Sequence, residues 1–127
     1  MQTQNYKDKL PKIKESSLQI SCVEYFQRIY PKLSPYLIHI PNGGKRNLLE
    51  ALKFKKMGVK PGVFDLLFMV PTKQHVGLWI ELKVGNNSLT ENQKNFQKLA
   101  ESSGYKTVVI KTIEEFLSEI SKYLLNK

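Results

Sequence analysis

Two carboxylates lie inside apolar, strand-like runs of this chain. Asp65 stands within residues 62–67, and Glu81 stands within residues 79–83. Because a carboxylate is expensive to bury unless something pairs with it, we expect each of the two to have a partner. Two carboxylates on neighbouring strands can share a divalent cation, which removes that cost. In a basic protein such a cation indicates a phosphodiester substrate.

The spacing of these residues predicts how they meet. Strand alternation places Trp79, Glu81 and Lys83 on one face. Asp65 begins the preceding strand and Glu81 ends its hairpin partner, so the two carboxylates are neighbours if the strands pair antiparallel. Hard oxygen ligands favour Mg²⁺ or Mn²⁺, and Lys83 can orient an attacking water or stabilise developing negative charge. The alternative is a structural ion pair between Glu81 and Lys83 at an exposed strand end. The second acid, at the matching end of the hairpin, favours the metal.

Two polar residues on predicted helices are further candidates for this site. Gln93 shares a helical face with apolar residues, so it needs partners. It either contacts the site or caps its own helix from the third position after Thr90, and the pattern leaves both alternatives open. Glu15 either reaches the site from the first helix or is a solvated glutamate that favours the helix dipole. For Glu15 the pattern alone favours the solvated alternative.

The positive charge is concentrated in the first half of the chain. The net charge is +9. Residues 1–60 carry twelve Lys/Arg and four Asp/Glu, whereas residues 61–127 carry eight and seven. Such asymmetry is typical of a surface that meets a polyanion, although for each single lysine the pattern favours a solvated side chain. The candidate phosphate-contacting residues are Asn42, Gly43, Gly44, Lys45, Arg46, Lys53, Lys56 and Lys60. His39 either faces the site or fills the edge of the core, and the pattern favours the core edge.

The elements that must position these residues follow from periodicity and turn signals. Residues 1–14 are predicted to form a loose arm, and residues 15–127 one domain. Helices are predicted at residues 16–30, 47–57, 90–102 and 112–124, with Ile29 on the inward face of the first. Strands are predicted at residues 36–40, 64–70, 76–84 and 105–110. This order predicts an α/β fold with a mixed four-stranded sheet flanked by helices.

Composition excludes several classes of protein. The single cysteine, Cys22, permits no internal disulfide and no cysteine-based zinc site. No apolar stretch approaches the roughly 20 residues that cross a bilayer, and the N-terminus has no apolar signal region. We therefore expect an intracellular protein with no membrane association.

Four ordered motifs carry a resemblance to a known family. They span residues 39–46, 57–65, 80–83 and 89–93. The chain resembles, over nearly its whole length, the VRR-NUC family, the virus-type replication-repair nucleases of the PD-(D/E)xK superfamily. The family usually has proline before the aspartate, where this chain has Phe64, and that departure bears on local strand geometry.

The resemblance implies a restriction-endonuclease-like core and Mg²⁺- or Mn²⁺-dependent hydrolysis of DNA. It implies that Asp65 and Glu81 are metal ligands and that Lys83 is the catalytic lysine. Gln93 matches the helix glutamine of the family, and Glu15 is similar to the acidic position of its first helix. Stand-alone members from phages and bacteria resemble Holliday-junction resolvases and pair as homodimers, so we expect branched DNA and a second copy as partners.

Two hypotheses follow for function. The first is a metal-dependent, structure-selective DNA endonuclease in which Asp65, Glu81 and Glu15 hold the cation and Lys83 and Gln93 assist. The second is a non-catalytic nucleic-acid-binding module on an inactivated nuclease fold. The second predicts salt-sensitive binding without cleavage in any divalent metal. The intact Asp65, Glu81 and Lys83 favour the first.

Overall fold

The computed structural model describes residues 14–41 and 47–127 of the chain. The predicted loop residues Asn42, Gly43, Gly44, Lys45 and Arg46, and residues 1–13 of the predicted arm, lie outside the described residues. The elements in chain order are α1 (Glu15–Ile29), a 3₁₀ helix (Pro31–Tyr36), β1 (Leu37–His39), α2 (Leu48–Lys56), β2 (Leu66–Phe68), β3 (Leu78–Leu82), α3 (Glu91–Ser102), β4 (Lys106–Ile110) and α4 (Ile113–Leu124).

The four strands form one mixed sheet. Their order in space is β1-β2-β3-β4, the same as in the chain. β1 pairs antiparallel with β2, β2 pairs antiparallel with β3, and β3 pairs parallel with β4. The parallel pair needs a crossover connection, and α3 provides it. The predicted α/β fold with a mixed four-stranded sheet flanked by helices is confirmed.

Most of the apolar core lies between one face of the sheet and the helices α1 and α4. Helix α1 contributes Leu18, Cys22 and Phe26, each one turn after the last, as its periodicity predicts. Phe26 contacts Phe68 of β2 edge-on, with ring centroids 5.5 Å apart. This packing fixes β2 and β3 against a rigid layer, so the opposite face of the two strands is free to carry polar groups.

A smaller aromatic cluster covers the other face of the sheet. Phe96 of α3 lies 5.3 Å from Phe64 and 5.0 Å from Trp79, measured between ring centroids. Tyr105 extends the cluster on the far side of Trp79, at 6.1 Å. α3 is thereby held over the face of β3 that carries Glu81.

Several predicted details are wrong. The strands are shorter than predicted, and Ile29 is 51% exposed instead of facing inward. The spacing of Thr112 and Glu115 at the start of α4 also predicts a reciprocal capping box, which does not form. Thr112 does accept from the backbone N–H of Glu115, but the Glu115 carboxylate accepts from the N–H of Lys111, one residue before the cap. Among the described residues, no helix combines the length and the apolar content needed to span a bilayer.

Candidate active site

The antiparallel register of β2 and β3 brings Asp65 and Glu81 together. Leu66 pairs with Ile80, so the residues one step outward on each strand, Asp65 and Glu81, face each other. Two hydrogen bonds link β3 to Asp65 here. The Asp65 backbone N–H donates to Glu81 Oε1 at 3.2 Å, and the Leu82 N–H donates to Asp65 Oδ2 at 3.0 Å. The predicted meeting of the two carboxylates is confirmed.

The Glu81 carboxylate is buried and has three neighbours. The residue is 2% exposed. Besides the Asp65 N–H, its Oε2 atom accepts from Gln93 Nε2 at 2.8 Å and lies 3.5 Å from Lys83 Nζ. Lys83 is itself 7% exposed. The predicted ion pair of Glu81 with Lys83 therefore exists, but it lies inside the protein and not at an exposed strand end.

The electrostatics of this cluster favour a positive charge beside Glu81. Burial, the negative charge of Asp65 and side-chain hydrogen bonding with Asp65 raise the pKa of Glu81 from 4.5 to about 8, against the lowering effect of Lys83. Lys83 thus offsets only part of the free-energy cost of holding two negatively charged carboxylates next to each other. A divalent cation bound between them would remove the remainder, and the oxygen donor set is the kind that Mg²⁺ and Mn²⁺ prefer.

Gln93 satisfies both alternatives that its sequence left open. Its Oε1 atom accepts from the Thr90 N–H at 3.0 Å, and Thr90 Oγ1 accepts from the Gln93 N–H at 3.2 Å, which completes a capping box. Its Nε2 atom holds Glu81. The start of α3 is therefore tied directly to the buried carboxylate, and the amide orientation of Gln93 is fixed from both ends.

A close approach between two loops places Asp65. Gly62 has φ +89°, and a Cβ there would lie 2.4 Å from the carbonyl oxygen of Asn92 in the first turn of α3. Only glycine fits this position. Phe64, which precedes Asp65, is fully buried against Phe96. Asp65 is thus held from the side of α3 by backbone contact and by aromatic packing.

His39 lies next to the candidate site, whereas its sequence pattern favoured the edge of the core. Its ring Nδ1 lies 2.8 Å from the carbonyl oxygen of Asp65, and the Ile40 N–H donates to the same oxygen at 2.9 Å. A carbonyl oxygen only accepts, so Nδ1 carries the proton of this hydrogen bond. The side chain is exposed, so the predicted core-edge position is wrong. The register of β1 with β2, which pairs His39 with Leu66, is the signal that places it.

Glu15 is not brought into the carboxylate pair. It is half-buried in the first turn of α1. Within residues 14–41 and 47–127, no group of three or more His, Cys, Asp or Glu side chains is arranged to hold a metal. Glu15 does lie towards the same end of the sheet as Lys83. Ser17 and Leu18, which follow it, line a cavity of about 940 Å³ together with Val84 and Asn87. Its role as a ligand stays a prediction.

The described basic residues of the predicted phosphate rim lie on the segment between β1 and β2. Lys53 and Lys56 are exposed on α2, and exposed Lys60 stands in the loop that leads from α2 to Asp65. The hydrogen bond from the Ile40 N–H to the Asp65 carbonyl oxygen joins the two ends of the segment that carries these lysines. The lysines are therefore carried on a segment whose two ends meet at the candidate site.

Comparisons with known proteins agree with this geometry. No family model matches the chain, and neither does any curated protein. A solved structure described as a VRR_NUC domain protein is similar to it, with a TM-score of 0.80 and 33% sequence identity. The similarity covers 92% of this chain and 93% of that one. Because this likeness spans nearly the whole of both chains, the chain belongs to the VRR_NUC domain family and carries a nuclease-type domain.

Proposed function

We propose that the protein is a metal-dependent DNA endonuclease that hydrolyses phosphodiester bonds. The observation that carries the proposal is the pair of carboxylates, Asp65 and Glu81, held face to face across β2 and β3 with Lys83 beside them. A purely structural role does not account for this pair, because burial and the neighbouring Asp65 raise the pKa of Glu81 even though Lys83 lies beside it.

Asp65 and Glu81 would hold a Mg²⁺ or Mn²⁺ ion. When bound, the ion supplies Lewis-acid stabilisation of phosphate charge and lowers the pKa of a water ligand. Lys83 presents its ammonium group on the same side as Glu81, where it orients a water or stabilises negative charge on the phosphate. Gln93 and the Asp65 backbone N–H keep the Glu81 carboxylate in one orientation. Glu15 completes the ligand set in this proposal, from the end of the sheet where α1 begins.

The substrate is DNA, and branched DNA in particular. The basic first half of the chain, with Lys53, Lys56 and Lys60 on the segment that leads to Asp65, matches a phosphate backbone. Residues 42–46 belong to the same proposed rim. A homodimer would present two sites, as the paired cuts across a four-way junction require, so the proposal includes a second copy of this chain.

Replacement of Asp65 tests the proposal. Asp65→Asn keeps an oxygen that accepts from the Leu82 N–H, so the fold is retained, whereas Asp65→Ala also removes this acceptor. Both variants lose the charged ligand, and we expect cleavage of junction, flap, single-stranded and duplex DNA in Mg²⁺ or Mn²⁺ to fall by about 10³-fold or more. Binding to DNA should remain, because the lysines are untouched.

Glu24→Gln is the matched control, since it removes an exposed carboxylate from α1. Equal cleavage by Asp65→Asn and the parent would refute the proposal. An inactive parent that still binds DNA in a salt-sensitive way would favour the non-catalytic binding module.

A further inference from the structure

Helix α2 presents three leucines to solvent. Leu48 is 74% exposed, Leu49 is 79% exposed and Leu52 is 47% exposed. No residue of this nine-residue helix is buried. Large apolar side chains grouped on one exposed side usually mark a binding surface. Single exposed leucines need no such explanation, but three at helical spacing do.

The helix is too short to be stable by its own propensity. Asn47 caps it by accepting from the Glu50 N–H at 2.8 Å, yet isolated helices of fewer than about 12 residues are marginal in water. Half-buried Phe54 is its inward side chain, and the carbonyl of Phe54 accepts from Val59. The opposite side is left to a partner, which would cover the leucines and stabilise the helix.

Charge restricts the chemistry of that partner. At 3.6 residues per turn, Lys53, Lys55 and Lys56 fall on the leucine side of the helix, and Glu50 falls on the side of Phe54. The outward side thus combines apolar groups with positive charge and carries no acid. A second copy of the chain would bring three more lysines against these, which is unfavourable. A polyanion with apolar surfaces between its charges is complementary.

The position of α2 adds the second restriction. The segment that carries it leaves the sheet at Ile40 and returns at Asp65, and these two residues are hydrogen-bonded at 2.9 Å. A partner seated on α2 is therefore bound to the segment that ends at the candidate carboxylate pair. DNA in which bases are unstacked or unpaired offers both phosphates and apolar base faces within the length of one turn of α2. Leucine is one of the apolar side chains that proteins insert as wedges against bases.

We propose that the outward side of α2 is a wedge that binds unpaired or branch-point DNA, with the leucines against exposed bases and the lysines on the flanking phosphates. This inference rests on the proposed nuclease function and deepens it, because it assigns the preference for branched DNA to Leu48, Leu49 and Leu52. Fully paired duplex offers the lysines the same phosphates but hides its base faces.

The test is a triple Leu→Ala variant at residues 48, 49 and 52. Alanine has the highest helix propensity, so α2 is retained. Affinity is measured without divalent metal for a three-way junction and for a paired duplex of equal length. We expect junction affinity to fall about tenfold and duplex affinity less than twofold, as for the loss of one base-stacking contact. Leu99→Ala, at a leucine of α3 that is 66% exposed, is the matched control and should change neither.

Three results would overturn the wedge. One is an unchanged ratio of junction to duplex affinity in the triple variant. Another is a dimer that the triple variant converts to a monomer, by light scattering, with the affinity ratio intact, which would assign the leucines to a second copy. The last is binding to anionic phosphatidylserine vesicles that the variant abolishes while the ratio is intact. A parent that cleaves no DNA, combined with a lowered ratio in the variant, would refute the nuclease and leave the wedge standing.

Discussion

At the scale of single residues, Glu81 is a buried acid whose charged form is disfavoured in the folded protein. It is buried beside Asp65 and pairs with Lys83, and burial together with Asp65 raises its pKa to about 8. An acid whose pKa is higher in the folded state than in the unfolded state binds a proton more tightly when folded. Proton binding and metal binding thus compete for the same carboxylate.

The raised pKa predicts how the stability of the metal-free protein depends on pH. Between pH 4.5 and about 8 the folded state holds a proton that the unfolded state has lost, so the free energy of unfolding decreases as pH rises through this window. Glu81→Gln removes the titration. We expect the free energy of unfolding of the variant, relative to that of the parent, to increase by an amount on the order of 3 kcal/mol between pH 5 and pH 9. Urea unfolding of both proteins at several pH values, in EDTA, measures the difference, and parallel curves would contradict it.

The sequence predicted the carboxylate pair because only two residues had to be placed, each by the period of a strand. His39 was harder to place. Its contact with Asp65 depends on the register of β1 against β2, which strand periodicity does not determine. Gln93 was easier to place. Its sequence predicted either a local capping box or a contact with the site, and its side-chain amide makes both.

At the scale of elements, the strands end where the site begins. Residues 64–70 were predicted to be one strand, but β2 covers only Leu66–Phe68. The Asp65 N–H donates to the Glu81 side chain, and its carbonyl accepts from His39 and Ile40. The backbone of Asp65 is thus used to assemble the site, an effect that periodicity does not show.

The loop before β2 permits a matched test of element packing. Gly58 and Gly62 have similar φ angles, +97° and +89°, but a Cβ at Gly58 meets nothing within 4 Å, whereas one at Gly62 meets the Asn92 backbone. Gly58→Ala should lose about 1–2 kcal/mol of unfolding free energy, the cost of a left-handed conformation. Gly62→Ala should lose more unfolding free energy, because the loop must also move away from α3.

That movement should also displace Asp65. We therefore expect DNA cleavage to fall further in Gly62→Ala than in Gly58→Ala at a temperature where both proteins are folded. Thermal unfolding and cleavage rates, measured on the same preparations, check both effects. Equal losses for the two glycines would show that the close approach to Asn92 does not position the site.

At the scale of the whole molecule, the distribution of charge and the topology agree. The excess of basic residues lies in residues 1–60, and the described part of that half includes α1, β1 and α2. Three of the four strands, together with α3 and α4, come from residues 61–127, whose charges nearly balance. Fold class could be predicted from the sequence because the order of the elements restricts a sheet of this size to few arrangements. The exposure of the leucines on α2 could not be predicted, because an apolar stripe at helical spacing is usually buried.

This asymmetry predicts how DNA binding depends on salt. If the basic half meets the phosphates, Lys53→Ala combined with Lys56→Ala should weaken binding similarly for all DNA shapes. The slope of log K against log salt should also decrease in magnitude by about 2, one for each lost phosphate contact. Lys122→Ala combined with Lys127→Ala is the control. Both lysines are exposed at the end of the chain, and Lys122 lines a small pocket with residues of the β2–β3 connection, Thr72 and His75. Titrations between 50 and 200 mM salt, roughly the range where such slopes are resolved, measure the effect. A control pair that lowers the slope as much as the α2 pair would show that binding follows net charge and not a defined face beside Asp65 and Glu81.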